Sequence, residues 1–396
     1  MTTPMTMVPI RLLLGSGPSP VPERVLAALA QPTIGHMDPA FGDVINETIE
    51  LLREAFQTEN LATLPISGTG SAGMEAMVAN FIDPGDRVVC GVSGLFGERM
   101  AEELTRAGAE VVPVEAEWGR AIPTERLLAA AEGGLDAMVV VHGETSTGVA
   151  QPLEGLAEAC HERDALFLLD CVTSLAGHPL RIDEAGVDAA FSGTQKCLNC
   201  PPGLAPFTAG ERALEKLARR ERPGRSWYLD LTLVLAYWNA PTPSEAVPGA
   251  GARTYHHTAP VNMIYALREA LRIVVGDEWL PTTWERHRRA HHALRDALAV
   301  LGCTRLAPDG EQLHPLLAVT PPDGVDEAAV RSRLLLEHGI EISGGLGPLA
   351  GRVWRIGVMG MGAGREPQEL LVRALATLLD ADPAEPLAAL EEGWRA

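Results

Sequence analysis

Two side chains at the ends of apolar strands could carry out chemistry. Asp170 ends the apolar run Ala165–Asp170, and Lys196 follows the run Asp188–Gly193 within a stretch of small polar residues. A buried carboxylate is costly without a cationic partner, and burial lowers the pKa of a lysine so that its amine becomes a nucleophile. Each is ambiguous alone, because an isolated aspartate also caps helices and most lysines are solvated. Only 26 residues (170 to 196) separate them, so one helix-and-strand excursion can bring both to one crevice.

A run of small residues, Ser67–Gly73, precedes an amphipathic stretch. Its backbone N–H groups can approach an anion, a helix N-terminus favours negative charge, and the hydroxyls of Thr69 and Ser71 can donate hydrogen bonds. The run therefore predicts a phosphate site, with a capped turn as the alternative. It matches neither G-x-x-x-x-G-K-[ST] nor G-x-G-x-x-G, which argues against nucleotide fingerprints and a nicotinamide-dependent dehydrogenase.

The chain from about Leu61 to Pro206 repeats a pattern of short apolar run, turn and amphipathic stretch. This pattern indicates parallel strands joined by helices, and ligands in such sheets bind at the carboxyl ends of the strands. The predicted strands are Arg87–Val92, Ala109–Val114, Ala137–His142, Ala165–Asp170, Asp188–Gly193 and Leu204–Thr208. The predicted helices are Gly73–Phe81, Gly97–Ala107, Glu154–Arg163 and Asn262–Val275.

A second, smaller α/β region follows the predicted sheet. Trp284–Leu301 is periodic and is predicted as a surface helix, with the His-rich run Arg286–His292 on its solvated face. The region is predicted to end in Leu375–Leu379. Because 396 residues suit one large and one smaller domain, we expect an N-terminal arm at 1–20, a large domain at 21–275 and a small domain at 276–396.

Charge and composition exclude several classes of protein. The formal net charge of −20 would repel nucleic acid and anionic lipid, so we expect small-molecule or protein partners, without nucleic acid or membrane. No stretch reaches the roughly 20 apolar residues of a spanning helix, and the N-terminus lacks a signal pattern, which predicts a cytoplasmic enzyme. Cys197 and Cys200 form a C-x-x-C, but a structural zinc site needs a second ligand pair and none appears.

Several further motifs occur in order along the chain. They are Gly17-Pro18-Ser19, Gly35-His36-Met37-Asp38-Pro39, the Ser67–Ser71 loop, His142–Gly148, Ser192–Lys196, Tyr255-His256-His257-Thr258 and Trp354-Arg355-Ile356-Gly357. With these motifs the chain from Leu14 to about Leu379 resembles the class V aminotransferases, in the alanine–glyoxylate, serine–pyruvate and ureidoglycine–glyoxylate group. The resemblance implies the α/β fold type I of pyridoxal-phosphate (PLP) dependent transferases. That fold has a large domain with a mostly parallel seven-stranded sheet flanked by helices, and a smaller C-terminal α/β domain.

The resemblance also implies roles for individual residues. Lys196 would bind pyridoxal 5'-phosphate as a Schiff base and move the substrate proton, and Asp170 would pair with the protonated ring nitrogen. Arg355 would hold the substrate α-carboxylate, a task suited to a planar guanidinium. Phe96 would stack on the cofactor ring. The other cofactor contacts implied within the subunit are Thr69, Gly70, Ser71, Thr145, Val172 and Gln195, of which Thr145 also faces the substrate.

Two further residues match positions that reach the phosphate of a neighbouring subunit. They are Tyr255 and Thr258, and the resemblance therefore implies a homodimer with shared sites. On the substrate side, the ureidoglycine branch has a Gln where this chain has His36 and an Asn where it has Tyr255. A site without those two amide groups should discriminate poorly in favour of a ureido substrate.

The resulting functional hypothesis is an aminotransferase with a ping-pong mechanism. It moves an amino group from a small amino acid, alanine or serine, to a 2-oxo acid, glyoxylate or pyruvate. The alternatives are a ureidoglycine–glyoxylate aminotransferase of purine catabolism, and a PLP lyase or aldolase that acts on a β-hydroxy amino acid. A cofactor-binding protein without turnover is a further alternative, although Asp170, Lys196 and Arg355 occurring together argue against it.

Overall fold

The computed structural model describes residues 8–221, 223–238 and 253–395. Its strands, in chain order, are β1 (Leu12–Leu13), β2 (Ala62–Ser67), β3 (Arg87–Val92), β4 (Glu110–Glu115), β5 (Ala137–Val141), β6 (Gly143–Glu144), β7 (Val149–Ala150), β8 (Leu166–Asp170), β9 (Ala189–Phe191), β10 (Leu204–Ala209), β11 (Thr304–Arg305), β12 (Leu316–Thr320), β13 (Ile340–Glu341), β14 (Ser343–Gly344) and β15 (Trp354–Gly357). Its α-helices are α1 (Glu23–Leu29), α2 (Pro39–Phe56), α3 (Gly70–Phe81), α4 (Leu95–Arg106), α5 (Thr124–Ala131), α6 (Leu156–His161), α7 (Glu211–Arg219), α8 (Leu231–Trp238), α9 (Val261–Leu271), α10 (Leu280–Val300), α11 (Glu327–Glu337), α12 (Arg365–Leu378) and α13 (Ala384–Arg395).

A seven-stranded sheet with the order β2-β10-β9-β8-β5-β3-β4 forms the larger part of the fold. All its pairings are parallel except those of β10, which is antiparallel to both neighbours. This confirms the predicted mostly parallel sheet flanked by helices. Strand β2 is not among the predicted strands, and Pro65 in its middle argues against a strand at the level of sequence. Proline is tolerated there because β2 is an edge strand, and its partner in register is Pro206.

The predicted elements agree with the structure to within a few residues. Strand β3 has the predicted bounds, and the ends of the other predicted strands differ from the observed ones by one or two residues. Helix α3 begins at Gly70 rather than Gly73, so that Ser71 lies in its first turn. Helix α9 ends at Leu271 and continues as a π-helical turn through Asp277.

Every strand of the large sheet except β10 ends at the same edge, and the loops after five of these strands concern the site. Strand β2 runs in the same direction as β9, because both are antiparallel to β10, and β3, β5 and β8 are linked to β9 by parallel pairings. The loops that follow these strands therefore share this edge. They comprise residues 68–70, 93–94, 142–148, 171–174 and 192–196.

A smaller antiparallel sheet, with the order β11-β12-β15-β14, follows in the chain. Residues of α10, α11, α12, β12 and β15 form a second hydrophobic core next to it. The predicted end at Leu375–Leu379 is wrong, because α13 continues the chain and packs on α10. A Cβ on Gly393 would lie 2.5 Å from the Cα of Ala293. The proposed domain limits, 1–20, 21–275 and 276–396, stay a prediction.

The predicted solvated face of helix α10 is also wrong. His287 and His291 are 0% and 1% exposed, and Ala290 and Leu294 are buried beside them. Residues three and four apart lie on one face of a helix, so these histidines share the face that packs inward. No helix in the described ranges is long and apolar enough to cross a membrane.

Candidate active site

A cavity of about 140 Å³ lies at the carboxyl edge of the large sheet. All of the predicted cofactor contacts except Tyr255 and Thr258 line it. Its lining residues are Thr69, Gly70, Ser71, Met74, Phe96, Arg99, Val141, Gly143, Thr145, Asp170, Val172, Thr173, Phe191, Gln195 and Lys196. A wider cleft of about 540 Å³ lies between α6 and residues 178–185, but none of the predicted site residues line it.

Lys196 follows β9 and is 7% exposed. Its Nζ donates a hydrogen bond to the carbonyl oxygen of Ser16, and burial lowers its pKa to about 8. Gly17 packs against it, since a Cβ there would lie 2.8 Å from both Cδ and Nζ of the lysine. Gly17 also has a φ of +105°, a backbone conformation that favours glycine. The lysine is thus a buried amine with an appreciable unprotonated fraction near neutral pH.

Asp170 is the last residue of β8 and is 3% exposed. Its Oδ1 accepts a hydrogen bond from the Val172 N–H (2.9 Å), and burial raises its pKa to about 7. Among the described residues no cationic side chain lies within ion-pair distance of it. A protonated ring nitrogen in the cavity would supply the missing partner and lower this pKa.

The start of α3 forms the polar end of the cavity. Thr69 is its N-cap and has no side-chain capping bond, and both Thr69 and Ser71 are exposed and line the cavity. Gln195 Oε1 is buried without a hydrogen-bond partner among the described residues. A helix N-terminus with free N–H groups and hydroxyls suits a phosphate, so the start of α3 fits the anionic end of pyridoxal 5'-phosphate.

Arg355 lies on β15 and is 6% exposed. Its Nε donates to the Gly344 carbonyl (2.7 Å) and its Nη1 to the Thr145 carbonyl (3.1 Å). Burial lowers its pKa, and no carboxylate of the described residues lies within ion-pair distance of it. The guanidinium is therefore a buried cation beside the cavity, held by two carbonyl groups and available to an anion.

Three predicted residues lie away from the cavity within this chain. Tyr255 is 65% exposed, and Thr258 is exposed as well. The His36 ring lies 5.5 Å from the Tyr255 ring. Their segment nevertheless contacts the end of β2, because His257 Nε2 lies 2.6 Å from Ser67 Oγ. The cofactor roles of Tyr255 and Thr258 stay predictions that require a second subunit.

Two residues close to the cavity were missed in the sequence. The Arg99 guanidinium lies 5.1 Å from the centre of the Phe96 ring, and Arg99 lines the cavity. Arg99 could have been found from the sequence, because residues three apart on a helix lie on one face and Arg99 is three residues after Phe96. Glu144 is fully buried and accepts hydrogen bonds from Phe96 and Gly97. Glu144 lies in the motif His142–Gly148, in which only Thr145 was predicted as a site residue.

This fold and cavity define the fold type I class of PLP-dependent enzymes. Residues 11–350 match the family described as aminotransferase class-V. The chain is 38% identical over 390 residues to the (S)-ureidoglycine–glyoxylate transaminase of Bacillus subtilis, covering 94% of this chain and 91% of that protein. It is 39% identical over 375 residues to the alanine–glyoxylate aminotransferase of Oryctolagus cuniculus, covering 94% and 93%.

A solved structure is similar over nearly the whole chain. It is the alanine–glyoxylate aminotransferase from Nostoc sp., with a TM-score of 0.90, 46% identity, and coverage of 96% of this chain and 97% of that one. The chain therefore belongs to the class V aminotransferases. It is a transaminase whose cofactor is pyridoxal 5'-phosphate, as the sequence motifs predicted.

Proposed function

We propose that this enzyme moves the amino group of a small amino acid, alanine or serine, to glyoxylate or pyruvate. The observation that carries the proposal is the meeting of a buried amine, an unpaired buried carboxylate and an unpaired buried guanidinium at one sheet edge. These groups are Lys196, Asp170 and Arg355, and each is 7% exposed or less. Within the described ranges, neither Asp170 nor Arg355 has an ion-pair partner, and a bound cofactor and substrate would supply one to each.

Lys196 and Asp170 act on protons in this proposal. When bound, pyridoxal 5'-phosphate draws electrons from the substrate Cα, which makes the Cα proton removable. Lys196, whose pKa burial lowers to about 8, would hold the cofactor and would accept the proton that leaves the substrate Cα. Ser16 orients the amine by accepting a hydrogen bond from Nζ. Asp170 would hold a proton at the ring nitrogen of the bound cofactor, which would keep the ring able to accept electrons.

Arg355 determines which substrate bond is broken. Its guanidinium can bind a carboxylate with two parallel hydrogen bonds. An α-carboxylate held in this way is not positioned to leave, which favours proton removal from Cα over decarboxylation. Phe96 and Val172 would provide apolar walls for the cofactor ring, and Thr145, which also lines the cavity, accepts a hydrogen bond from Arg355 with its carbonyl.

The residue types at positions 36 and 255 argue for a small donor rather than a ureido donor. Its ring lies 5.5 Å from that of Tyr255 and 6.5 Å from that of Tyr237. Neither His36 nor Tyr255 offers the amide groups that would bind a ureido group, so the site is expected to discriminate poorly in favour of ureidoglycine. Ureidoglycine is the second candidate donor, because the Bacillus subtilis relative bears that name.

We also infer a homodimer with shared sites. Tyr255 and Thr258 are exposed beside the Ser67 loop, and large apolar side chains are exposed in the same part of the chain. Trp227 is 63% exposed and Tyr228 43%, and Trp227 stacks on His256 at 4.3 Å. Such a patch is typical of a protein–protein contact. A cytoplasmic location likewise stays a prediction.

The test is a panel of half-reactions followed by the absorption of the bound cofactor. The holoenzyme is mixed separately with alanine, serine and ureidoglycine, and the aminated enzyme is then mixed with glyoxylate or pyruvate. We expect alanine or serine to change the spectrum and glyoxylate or pyruvate to restore it, with parallel double-reciprocal plots for the full reaction. A response to ureidoglycine alone would overturn the proposed donor.

A matched pair of variants tests the role of Arg355. Arg331 also packs against Gly344, where a Cβ would lie 3.0 Å from the Arg331 Cζ, but its Nε pairs with Glu327 at 2.7 Å. Arg355→Lys removes a bidentate contact and should raise KM for the amino acid about 10- to 100-fold, because a hydrogen bond to a charged group contributes about 1.5–3 kcal/mol. Arg331→Lys should leave KM within about twofold. Equal effects of both variants would contradict the assignment.

A further inference from the structure

Glu144 is a carboxylate with no exposed surface beneath the first turn of α4. Its Oε2 accepts hydrogen bonds from the N–H groups of Phe96 (3.1 Å) and Gly97 (3.3 Å). Its Oε1 accepts from the N–H (3.0 Å) and hydroxyl (2.6 Å) of Ser146. Burial raises the pKa of this carboxyl, and these bonds oppose the rise. The four donors thus belong to two segments, the start of α4 and the loop at Ser146, and the Glu144 side chain joins them.

Helix α4 depends on this side chain for its first turn. Its N-cap residue is Gly94, which has no side chain to cap the helix, and Leu95 donates its N–H to Ser146 Oγ (3.0 Å). A Cβ on Gly94 would lie 2.7 Å from Cγ and Cδ of Glu144, so the glycine makes room for the carboxylate. Helix N-termini carry free N–H groups and a partial positive charge, which an acceptor from elsewhere in the fold can satisfy.

The two joined segments carry groups that face the cavity. Phe96, whose N–H is held by Glu144, lines it. Thr145, the next residue after Glu144, lines it too, and its carbonyl accepts a hydrogen bond from Arg355 Nη1. Glu144 itself does not line the cavity. A displacement of Glu144 would therefore move both Phe96, which lines the cavity, and the Thr145 carbonyl, which is hydrogen bonded to Arg355.

We propose that Glu144 is a positioning residue that fixes Phe96 against the cofactor ring and the Thr145 carbonyl against Arg355. Through these two residues it determines how tightly the enzyme binds pyridoxal 5'-phosphate, although it does not touch the cofactor. The part that concerns Arg355 rests on the proposed function. The part that concerns Phe96 requires only that the cofactor binds in the cavity.

The variant Glu144→Gln tests this proposal. Glutamine keeps the shape and one acceptor, but its NH₂ group must face N–H or O–H donors, so the first turn of α4 shifts. The apoenzyme is titrated with pyridoxal 5'-phosphate, and the visible circular dichroism of the bound cofactor is recorded. We expect Kd to rise about tenfold or more, since hydrogen bonds to a charged group are lost, and the dichroic band to weaken.

Asp188→Asn is the matched control. Asp188 is another buried carboxylate, 5% exposed, which accepts from the Phe167 N–H (2.7 Å) and lies 3.1 Å from His161 Nε2, and it does not line the cavity. Its variant should lose stability without any change in cofactor Kd or dichroism. If Glu144→Gln misfolds, Ser146→Ala removes one donor to the carboxylate and should raise Kd several-fold in the same direction.

The outcomes separate this proposal from the proposed function. A wild-type Kd and dichroic band in Glu144→Gln, or equal changes in Asp188→Asn, would overturn the positioning role. If the wild-type enzyme binds the cofactor but fails to transfer amino groups between the proposed substrates, the proposed function fails. A raised Kd in Glu144→Gln would still support the positioning role in that case.

Discussion

Two buried histidines on α10 should make the protein unstable in mild acid. His287 uses both ring nitrogens, because Nδ1 contacts the Thr283 carbonyl (2.7 Å) and Nε2 accepts the Gly360 N–H (2.9 Å). Burial, with a smaller effect of the nearby Arg286, lowers its pKa to about 3. Burial lowers the pKa of His291 to about 3 as well, with smaller contributions from His314, His292 and Arg295.

The sign and size of the effect follow from these pKa values. The unfolded chain protonates both histidines below their ordinary pKa of about 6.5, whereas the folded protein keeps them neutral until about pH 3. Stability is therefore complete above pH 6.5 and is lost as the pH falls toward 3. At pH 5.0, about 1.5 units below the ordinary pKa, each histidine lowers the free energy of unfolding by about 2 kcal/mol, because one unit corresponds to about 1.4 kcal/mol. The pair should cost about 4 kcal/mol.

Urea unfolding at pH 7.5 and 5.0, followed by fluorescence and far-UV circular dichroism, measures this loss. The variant His291→Asn keeps a donor for the His314 carbonyl, which accepts from His291 at 3.1 Å, and removes the titrating group. The stability difference between the two pH values should shrink by about 2 kcal/mol. The exposed His338→Asn should leave it unchanged. An unaltered difference in His291→Asn would refute the reasoning.

Three further predictions concern the cavity and the thiols. Gly17→Ala should abolish or greatly reduce the absorption of cofactor bound to Lys196, because a Cβ would lie 2.8 Å from the lysine Nζ. Gly134→Ala is the control: Gly134 has a similar φ of +103° but no atom within 4 Å of the added Cβ, so this variant should only lose stability. Asp170→Ala should weaken cofactor binding to the apoenzyme about 10- to 100-fold, and an unchanged Kd would contradict its pairing with the ring nitrogen. All six cysteines are buried, and burial raises the pKa of each thiol, so a thiol reagent at pH 8 should label the native protein hardly at all and the urea-unfolded protein fully.

Most of the large sheet was predictable because its signals are local. Buried parallel strands appear as short apolar runs, and β3 and β8 were recognised within one residue of their observed bounds. Strand β2 was not among the predicted strands, and Pro65 argues against a strand unless the strand lies at an edge, which is a property of the whole sheet. Helix α10 was assigned to the surface because its charged residues were weighed above the inward spacing of His287 and His291.

The sequence alone determined the family, the cofactor and the two residues at the ends of β8 and β9, since ordered motifs and strand ends are properties of contiguous residues. Only the tertiary structure decided how those residues are held. Lys196 donates to Ser16, 180 positions earlier, and Arg355 donates to Thr145, 210 positions earlier. Burial and the pKa of each group depend on such distant neighbours, because desolvation is set by all the atoms that surround a charge. No local pattern in the chain specifies which atoms those will be.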